Sequence, residues 1–225
     1  MKKIAIIFAM QKELDLFAKQ ITGLMTYNQN HLTFYRGNYQ NFDLCLTVSG
    51  IGKVNAALSV ANLMQFFTPD LIINIGVSGG LDKSLKISDI VVADEVVYHD
   101  VWCGSPAKLG QVWDMPETYH PVYSELLPEY KHGLLVAGDW FMTEPEKLKT
   151  TKTNFPKALA VDMESAAIAQ CCFLYNCPLM VIRQISDVVG TEKQDEIYNQ
   201  FWKNAPEQSS LVLRQVLTRL ADLNG

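Results

Sequence analysis

The sequence contains no long run of basic residues. Only 19% of its 225 residues are charged, and the formal net charge is −5. Nucleic acids and anionic membrane surfaces bind concentrated positive charge, so we expect neither as a partner. No apolar run is long enough to span a bilayer. The apolar N-terminus is short and runs into Gln11-Lys12-Glu13, which predicts a first core strand rather than a signal peptide.

The cysteines form no paired pattern. There are five of them, an odd number without the spacing of a zinc site. We therefore predict a reducing, cytoplasmic setting, no disulfide framework and no metal site. The five are Cys45, Cys103, Cys171, Cys172 and Cys177.

Apolar residues make up 48% of the chain, which is typical of a globular protein. A chain of this length can build one substantial core, so we predict a single α/β domain over residues 1–225. We find no linker or repeat. The pattern predicts strands at 2–9, 71–75, 89–93, 133–139, 158–161 and 181–187, and helices at 10–20, 53–67, 164–176 and 206–223.

Three further segments are less regular. Residues 32–48 indicate antiparallel strands with turns at Gly37-Asn38 and Gln40-Asn41. Residues 101–122 contain several aromatic, Pro and Gly residues and follow no period, which is typical either of a functional or partner-contacting loop or of a surface loop pinned by its own aromatics. Residues 147–157 are polar and indicate a solvated face or an exposed turn.

One apolar strand ends in an acid. The stretch from Val181 to Val188 begins as a buried strand and reaches Ser186-Asp187 at its carboxyl end. Ligands of open α/β sheets bind beyond such strand ends, where a partly desolvated carboxyl can hold a proton at neutral pH. The alternative, taken on this stretch alone, is that Asp187 only caps a following turn or helix.

Other acids and turns lie at predicted strand ends. Glu13 and Glu164 fall in first helical turns, where they complement the helix dipole or face a crevice, and Asp162 is a candidate N-cap. The turn Gly50-Ile51-Gly52-Lys53 is neither a P-loop nor a dinucleotide fingerprint. It is a tight turn onto a packed helix, although its backbone N–H groups are able to face a small ligand.

Five local patterns occur together in this chain: Ile7 to Glu13, Ser49 to Val54, Asn74 to Gly80, Val161 to Glu164, and Arg183 to Asp187. Taken together they resemble one family, the 5′-methylthioadenosine/S-adenosylhomocysteine nucleosidases within the purine nucleoside phosphorylases. The resemblance covers nearly the full length and implies a three-layer α/β sandwich with a central mixed, twisted β-sheet flanked by helices.

The resemblance implies hydrolysis of the bond between adenine and a ribose that carries a 5′-thioether, without a cofactor. It makes Asp187 the general acid that protonates adenine N7, with Ser186 orienting it. Glu13 would bind the attacking water, helped by Arg183. Breaking this bond leaves negative charge on the base and positive charge on the sugar, so acids on both sides suit the chemistry.

The resemblance also implies the substrate contacts. Glu164, in the segment Asp162-Met163-Glu164, would bind the ribose hydroxyls with the backbone near Met163. Phe141 would stack on the purine, and the backbone at Phe141 and Met142 would read its edge. The apolar 5′ wall would be completed by a neighbouring subunit of a homodimer. The wall positions in this chain are Met10, Ile51 and Tyr198.

The chain departs from the family pattern at the glycine turn after 71–75. The usual Gly-Ser-Ala-Gly-Gly is replaced by a turn in which Val77, Ser78 and Gly79 are the candidate contacts, so a serine hydroxyl near the sugar is moved or lost. The loop 101–122 also differs, which leaves the exact 5′ group open. Three alternatives remain: a hydrolase of another adenine nucleoside of the futalosine type, a phosphate-dependent phosphorylase, and a non-catalytic nucleoside-binding protein.

Overall fold

A computed structural model of the chain describes residues 2–204 and 207–223, with the side chains of residues 203, 204 and 207 left aside. Pro206, where we predicted the last helix to begin, lies outside the described residues. The strands are β1 (Lys2–Phe8), β2 (Thr22–Gln29), β3 (Leu32–Tyr39), β4 (Phe42–Val48), β5 (Leu71–Gly80), β6 (Ile90–Tyr98), β7 (Lys131–Ala137), β8 (Ala158–Asp162) and β9 (Leu179–Val188). The helices are α1 (Gln11–Ala18), α2 (Lys53–Phe66), α3 (Pro145–Asn154), α4 (Ser165–Leu174), α5 (Gln194–Asn204) and α6 (Glu207–Asp222), with a 3-10 turn at Ser124–Leu126.

The nine strands form one mixed sheet in the order β2-β3-β4-β1-β5-β8-β7-β6-β9. The β1–β4, β1–β5, β5–β9, β6–β7 and β7–β8 pairs are parallel, whereas β2–β3, β3–β4, β5–β8 and β6–β9 are antiparallel. Because β9 pairs with both β6 and β5, five of the strands close into a ring. The predicted mixed sheet is confirmed, although no sequence pattern indicated this closure.

The helices cover both faces of the sheet. Side chains of a strand alternate between its two faces, and β1 is buried on both. Ala5 and Ile7 pack in the core cluster that holds α2 and α4, whereas Ile4, Ile6 and Phe8 pack in the cluster that holds α1 and α6. This arrangement is the three-layer α/β fold that we predicted.

Helix α4 illustrates why small residues matter for this packing. Ala166, Ala167 and Ala169 are all buried, and the helix packs against α2 and the sheet. Alanine carries no bulky side chain, so it allows the backbone of the helix to approach its neighbours closely. The predicted helix 164–176 is therefore confirmed, with its observed ends at Ser165 and Leu174.

Several predicted boundaries were wrong. The Gly37-Asn38 turn does not exist, because both residues continue β3, whereas the turn at Gln40-Asn41 is correct. Strand β2 was missed, because most of its side chains are exposed and give no apolar alternation. Strand β5 does not break at Gly76 but runs on to Gly80, since its glycines still pair with β9 and β8.

Two helices were also missed. The polar segment 147–157 contains most of α3, which is mainly solvent-exposed and so lacks an apolar stripe. Helix α5 begins within the polar run 191–196, which follows β9, and we did not predict it. Residues 101–118 contain no helix or strand, as predicted, and Tyr119 forms an isolated bridge to Val96. No helix among the described residues is long and apolar enough to cross a membrane.

Candidate active site

A cavity of about 330 Å³ lies beyond the carboxyl ends of β1, β5, β8 and β9. Its volume is within the usual range for small-molecule sites. The wall is mostly apolar but includes three acids, two where β8 leads into α4 and one on β9. The lining residues are Ala9, Met10, Ile51, Val77, Gly79, Trp140, Phe141, Met142, Val161, Asp162, Met163, Glu164, Asp187, Val189, Gln194 and Tyr198.

Asp187 is the penultimate residue of β9 and is only 1% exposed. Its Oδ1 accepts a hydrogen bond from Ser186 Oγ at 2.6 Å, and its Oδ2 accepts one from Gln194 Nε2 at 2.6 Å. Burial raises the pKa of Asp187 above its ordinary value, while these two donors act in the opposite direction. The carboxyl is therefore held firmly in a place where protonation is easier than in water.

Glu13 is the third residue of α1 and is also buried. Its Oε2 accepts the backbone N–H of Met10 at 3.0 Å, which caps the helix, but its Oε1 is buried without a hydrogen-bond partner in the protein. Burial raises the pKa of Glu13 to about 7, opposed by the Met10 N–H and the Arg183 charge. One carboxylate oxygen thus caps the helix, and the other remains as an acceptor for a ligand or a water molecule.

A glycine makes room for that unpaired oxygen. A Cβ built on Gly76 would lie 3.3 Å from Glu13 Oε1, closer than most real contacts of this kind. Ser78, two residues further along β5, is 4% exposed, and its hydroxyl is buried without a hydrogen-bond partner. One unpaired oxygen thus lies against Gly76 and the other belongs to Ser78, and these two residues flank Val77, which lines the cavity.

Glu164 lies at the N-cap position of α4, directly after β8. Its Oε1 accepts the backbone N–H of Gly52 at 2.9 Å, from a glycine with a positive φ of 95°. Burial and the neighbouring Asp162 charge raise the pKa of Glu164 to about 7. The tight turn before α2 thus positions an acid in the cavity wall, and no P-loop function is needed to explain it.

Asp162 and Arg183 form a buried ion pair, with Arg183 Nε 2.6 Å from Asp162 Oδ2. Asp162 Oδ1 accepts the N–H groups of Glu164 and Ser165 and the Ser165 hydroxyl. Asp162 therefore caps the start of α4 through its side chain, although the N-cap residue is Glu164 and not Asp162 as predicted. Glu164 is likewise not in the first turn, because the helix begins one residue later.

Arg183 is 2% exposed and does not line the cavity. Besides Asp162, its guanidinium donates to the carbonyl and side-chain oxygens of Asn74 and to the Ile182 carbonyl. Its charge still lowers the pKa of Glu13. Arg183 thus acts on the site through buried neighbours, and a direct contact with water remains a prediction.

Aromatic side chains cover the cavity from outside. Phe141 and Tyr198 pack edge to face with ring centroids 5.3 Å apart, and the Tyr198 hydroxyl lies 3.9 Å from Met10 Sδ. Burial raises the pKa of Tyr198, and the charges of Asp187, Glu13 and Glu164 act in the same direction. The charges of three acids from distant parts of the sequence therefore act on one phenol.

Most of the predicted site residues meet at this cavity. Eleven of them line it: Met10, Ile51, Val77, Gly79, Phe141, Met142, Asp162, Met163, Glu164, Asp187 and Tyr198. The other four, Glu13, Ser78, Arg183 and Ser186, are buried behind the wall. Their chemical roles remain predictions.

The structure adds five wall residues that we did not predict: Ala9, Trp140, Val161, Val189 and Gln194. Gln194 is the important one, because it binds Asp187 directly. It is the single buried residue of the polar run 191–196, so composition alone gave no reason to select it. Among the described residues, no group of three or more His, Cys, Asp or Glu side chains is arranged to hold a metal ion.

A second, larger cleft of about 1000 Å³ lies between α5 and α6. Glu192, Lys193 and Glu196 line it, but all three are solvent-exposed, and Lys193 pairs with Glu196 at 3.4 Å. Buried, incompletely paired acids are a better sign of chemistry than volume. We therefore place the site in the smaller cavity.

The chain is similar to known proteins along most of its length. The family model described as the Phosphorylase superfamily matches residues 3–218. A curated 5′-methylthioadenosine/S-adenosylhomocysteine nucleosidase of Staphylococcus carnosus is 38% identical, covering 96% of this chain and all of its own length. One of Marinomonas sp. is 37% identical, covering 96% of this chain and 99% of its own length.

A solved structure shares the fold. The S-adenosylhomocysteine nucleosidase of Streptococcus pyogenes, in complex with 5-methylthiotubericidin, aligns with a TM-score of 0.91 and 33% identity and covers 96% of each chain.

Proposed function

Because this chain belongs to the 5′-methylthioadenosine/S-adenosylhomocysteine nucleosidase family of the Phosphorylase superfamily, we propose that it hydrolyses the N-ribosidic bond of these two nucleosides and releases adenine. The observation that carries the proposal is the convergence of buried acids on one cavity. Asp187 lies in its wall, and the unpaired Glu13 oxygen lies against Gly76, the residue before the wall residue Val77.

Asp187 serves as the general acid at the base. As the bond to the sugar breaks, negative charge develops on adenine, and a proton delivered to N7 relieves it. Burial favours the protonated carboxyl that this step requires. Ser186 orients the group through its 2.6 Å hydrogen bond to Oδ1.

Glu13 binds the attacking water on the sugar side. Its Oε1 is the buried acceptor without a partner, and a water held there would satisfy it. Arg183 contributes through its charge and by fixing Asp162, rather than as a cavity wall. With a pKa of about 7, Glu13 loses its proton near neutral pH and can then accept one from water.

Glu164, together with the backbone at Met163, binds the ribose hydroxyls. A buried carboxylate makes strong hydrogen bonds to hydroxyl donors, and its negative charge also suits the positive charge that develops on the sugar. Phe141 packs against the base, and the Met142 backbone reads its edge. The apolar 5′-thio group lies against Met10, Ile51 and Tyr198, which line the same cavity.

The phosphorylase alternative is weakened by the charge of the wall. Phosphate binding requires cationic side chains or a set of convergent N–H donors. No Lys, Arg or His is among the described residues that line the cavity. Water is therefore the better nucleophile for this site.

We also propose that the chain forms a homodimer in the cytoplasm. Large apolar side chains are exposed on α2 and at the end of α4: Val54 is 70% exposed, Leu58 43%, Phe173 49% and Leu174 57%. Trp102, in the aperiodic loop, is 62% exposed. Helices α2 and α4 pack against each other, and exposed apolar side chains on neighbouring elements are typical of an interface. Five free thiols, three of them buried, support a reducing compartment.

One assay tests the function. Purified protein is incubated with methylthioadenosine, S-adenosylhomocysteine and other 5′-substituted adenosines, with and without phosphate, and free adenine is separated by chromatography. We expect adenine without phosphate. Strict dependence on phosphate would favour a phosphorylase, and binding without any release would favour a nucleoside-binding protein. Sedimentation equilibrium measures the oligomeric state.

A further inference from the structure

The carboxamide of Gln194 bridges two acceptors at the cavity. Its Nε2 donates to Asp187 Oδ2 at 2.6 Å and to the Met142 carbonyl at 2.9 Å. Its Oε1 accepts the backbone N–H of Gly190 at 3.0 Å. The reversed amide would set oxygen against two acceptors and an N–H against a donor, so these three partners fix its orientation.

The two acceptors belong to the cavity wall, as does Gln194 itself. A carboxamide NH2 is a flat group with two N–H donors at a wide angle. The exocyclic amine of an aminopurine is the same kind of group. A carboxylate oxygen and a carbonyl oxygen that share one NH2 therefore form a receptor for either of them.

We propose that the Gln194 carboxamide takes the place of the base's exocyclic amine in the free enzyme, and that adenine displaces it on binding. Gln194 is then a positioning residue. It holds the Asp187 carboxylate and the Met142 carbonyl at the spacing that the amine of the base requires, and it competes with the base for these two acceptors. The inference rests on the proposed function, because it assumes that adenine occupies this cavity.

The acid chemistry is compatible with this exchange of donors. Oδ2 accepts an N–H in both states, from Gln194 in the free enzyme and from the base's amine in the complex, so the proton of the general acid is carried by Oδ1. The Ser186 side is different, since its hydroxyl also lies 3.2 Å from the Ser78 carbonyl and can donate there when Oδ1 is protonated. The hydroxyl adapts to either state of the carboxyl, and the amide does not.

Gln194 therefore favours the charged form of Asp187 only until the base arrives. Its donation lowers the pKa of Asp187 in the free enzyme, against the larger effect of burial. The other titratable groups that act on Asp187 are both on α5, namely Asp195, whose charge raises its pKa, and Tyr198. Removing the amide should shift the titration of the free enzyme, but not that of the complex in which adenine has already replaced it.

The test uses Gln194→Ala and Gln194→Asn, with Gln200→Ala as the matched control because Gln200 is an exposed glutamine on the same helix. Adenine binding is measured by titration calorimetry. If the Gln194 amide occupies the site in most molecules, the apparent affinity for adenine equals the intrinsic affinity multiplied by the fraction of molecules in which the amide is absent. We therefore expect the Gln194 variants to bind adenine about tenfold more tightly than the wild type. Gln200→Ala should bind adenine like the wild type.

The pH profiles separate displacement from a purely structural role. The profile of kcat/KM reports the free enzyme and that of kcat reports the complex. We expect the alkaline limb of kcat/KM to move to higher pH in both Gln194 variants, while the alkaline limb of kcat stays in place. A shift of both limbs, or of neither, would overturn the inference.

Two controls keep the test decisive. Melting temperature and circular dichroism check folding, and Gln194→Asn retains an amide that is too short to span both acceptors if Gln194→Ala does not fold. If the wild-type protein binds adenine and neither variant binds it more tightly, the proposed displacement is contradicted. Wild-type protein that neither binds adenine nor releases it from methylthioadenosine contradicts the proposed function instead.

Discussion

The two cavities of this protein differ in how far their acidic side chains are exposed to solvent. In the larger cleft between α5 and α6, the acids are exposed and one of them is paired with Lys193. At the smaller cavity Glu13, Glu164 and Asp187 are each at most 6% exposed, and burial raises the pKa of all three. A fold keeps such costly groups when they have a use, so unfavourable burial locates the site better than volume does.

The largest effect on activity is expected from Asp187→Asn at the smaller cavity. The amide cannot deliver a proton, so we expect kcat to fall by roughly a hundred- to ten-thousand-fold while the ligand still binds. Adenine release and calorimetry measure the two effects. Glu196→Gln, an exposed acid on α5 that lines the larger cleft, is the matched control. Wild-type turnover in Asp187→Asn would remove the proposed acid.

Arg183→Met tests the buried ion pair that supports the smaller cavity. It leaves the Asp162 carboxylate buried and unpaired, so the free energy of unfolding should fall by about 3–5 kcal/mol. Lys193→Met breaks an exposed pair and should cost at most about 1 kcal/mol. Urea denaturation measures both, and equal losses would show that burial is not what distinguishes the two pairs.

Glu13→Gln should lower activity but raise stability at high pH. The pKa of Glu13 is raised from 4.5 to about 7, so the folded state binds the proton more tightly than the unfolded chain. The stability this provides is complete below pH 4.5 and is lost as pH rises through about 7. A neutral Gln escapes that loss, and we expect it to gain about 1–3 kcal/mol over wild type at pH 8 and little at pH 4.

The same shift predicts an acid limb in the pH–rate profile. Glu13 must be ionised to hold the attacking water, so the rate should fall as pH drops below about 7. Asp15→Asn, an exposed acid of the same helix, should change neither the profile nor the stability curve appreciably. A Glu13→Gln variant with a wild-type profile and no gain at pH 8 would contradict both roles.

The smallest effect is expected in the larger cleft. Gln215 is exposed there and accepts a hydrogen bond from the Tyr130 hydroxyl. Gln215→Ala should leave kcat/KM unchanged and alter the free energy of unfolding by no more than about 0.5 kcal/mol. A substantial loss of turnover would mean that the cleft takes part in the function and that the comparison is wrong.

Much of the buried sheet was predictable because its strands are nearly continuous apolar runs. β1, β5, β6, β7, β8 and β9 were all found, whereas β2, α3 and α5 were missed, since their exposed or polar residues carry little pattern. Glu13, Glu164 and Asp187 could be selected because each lies at the end of an apolar element. Gln194 could not, because an isolated buried residue in a polar run looks like its solvated neighbours.

The sequence alone determined which strands are buried, which acids follow them and which family the chain resembles. Apolar periodicity and local motifs depend only on residues that are close together in the sequence. Only the tertiary structure decided which oxygens are already satisfied. Asp162 has its acceptors filled by Arg183 and Ser165, Glu13 keeps one empty, and Asp187 shares one with Gln194. Hydrogen-bond satisfaction depends on partners that are far apart in sequence and meet only when the sheet closes.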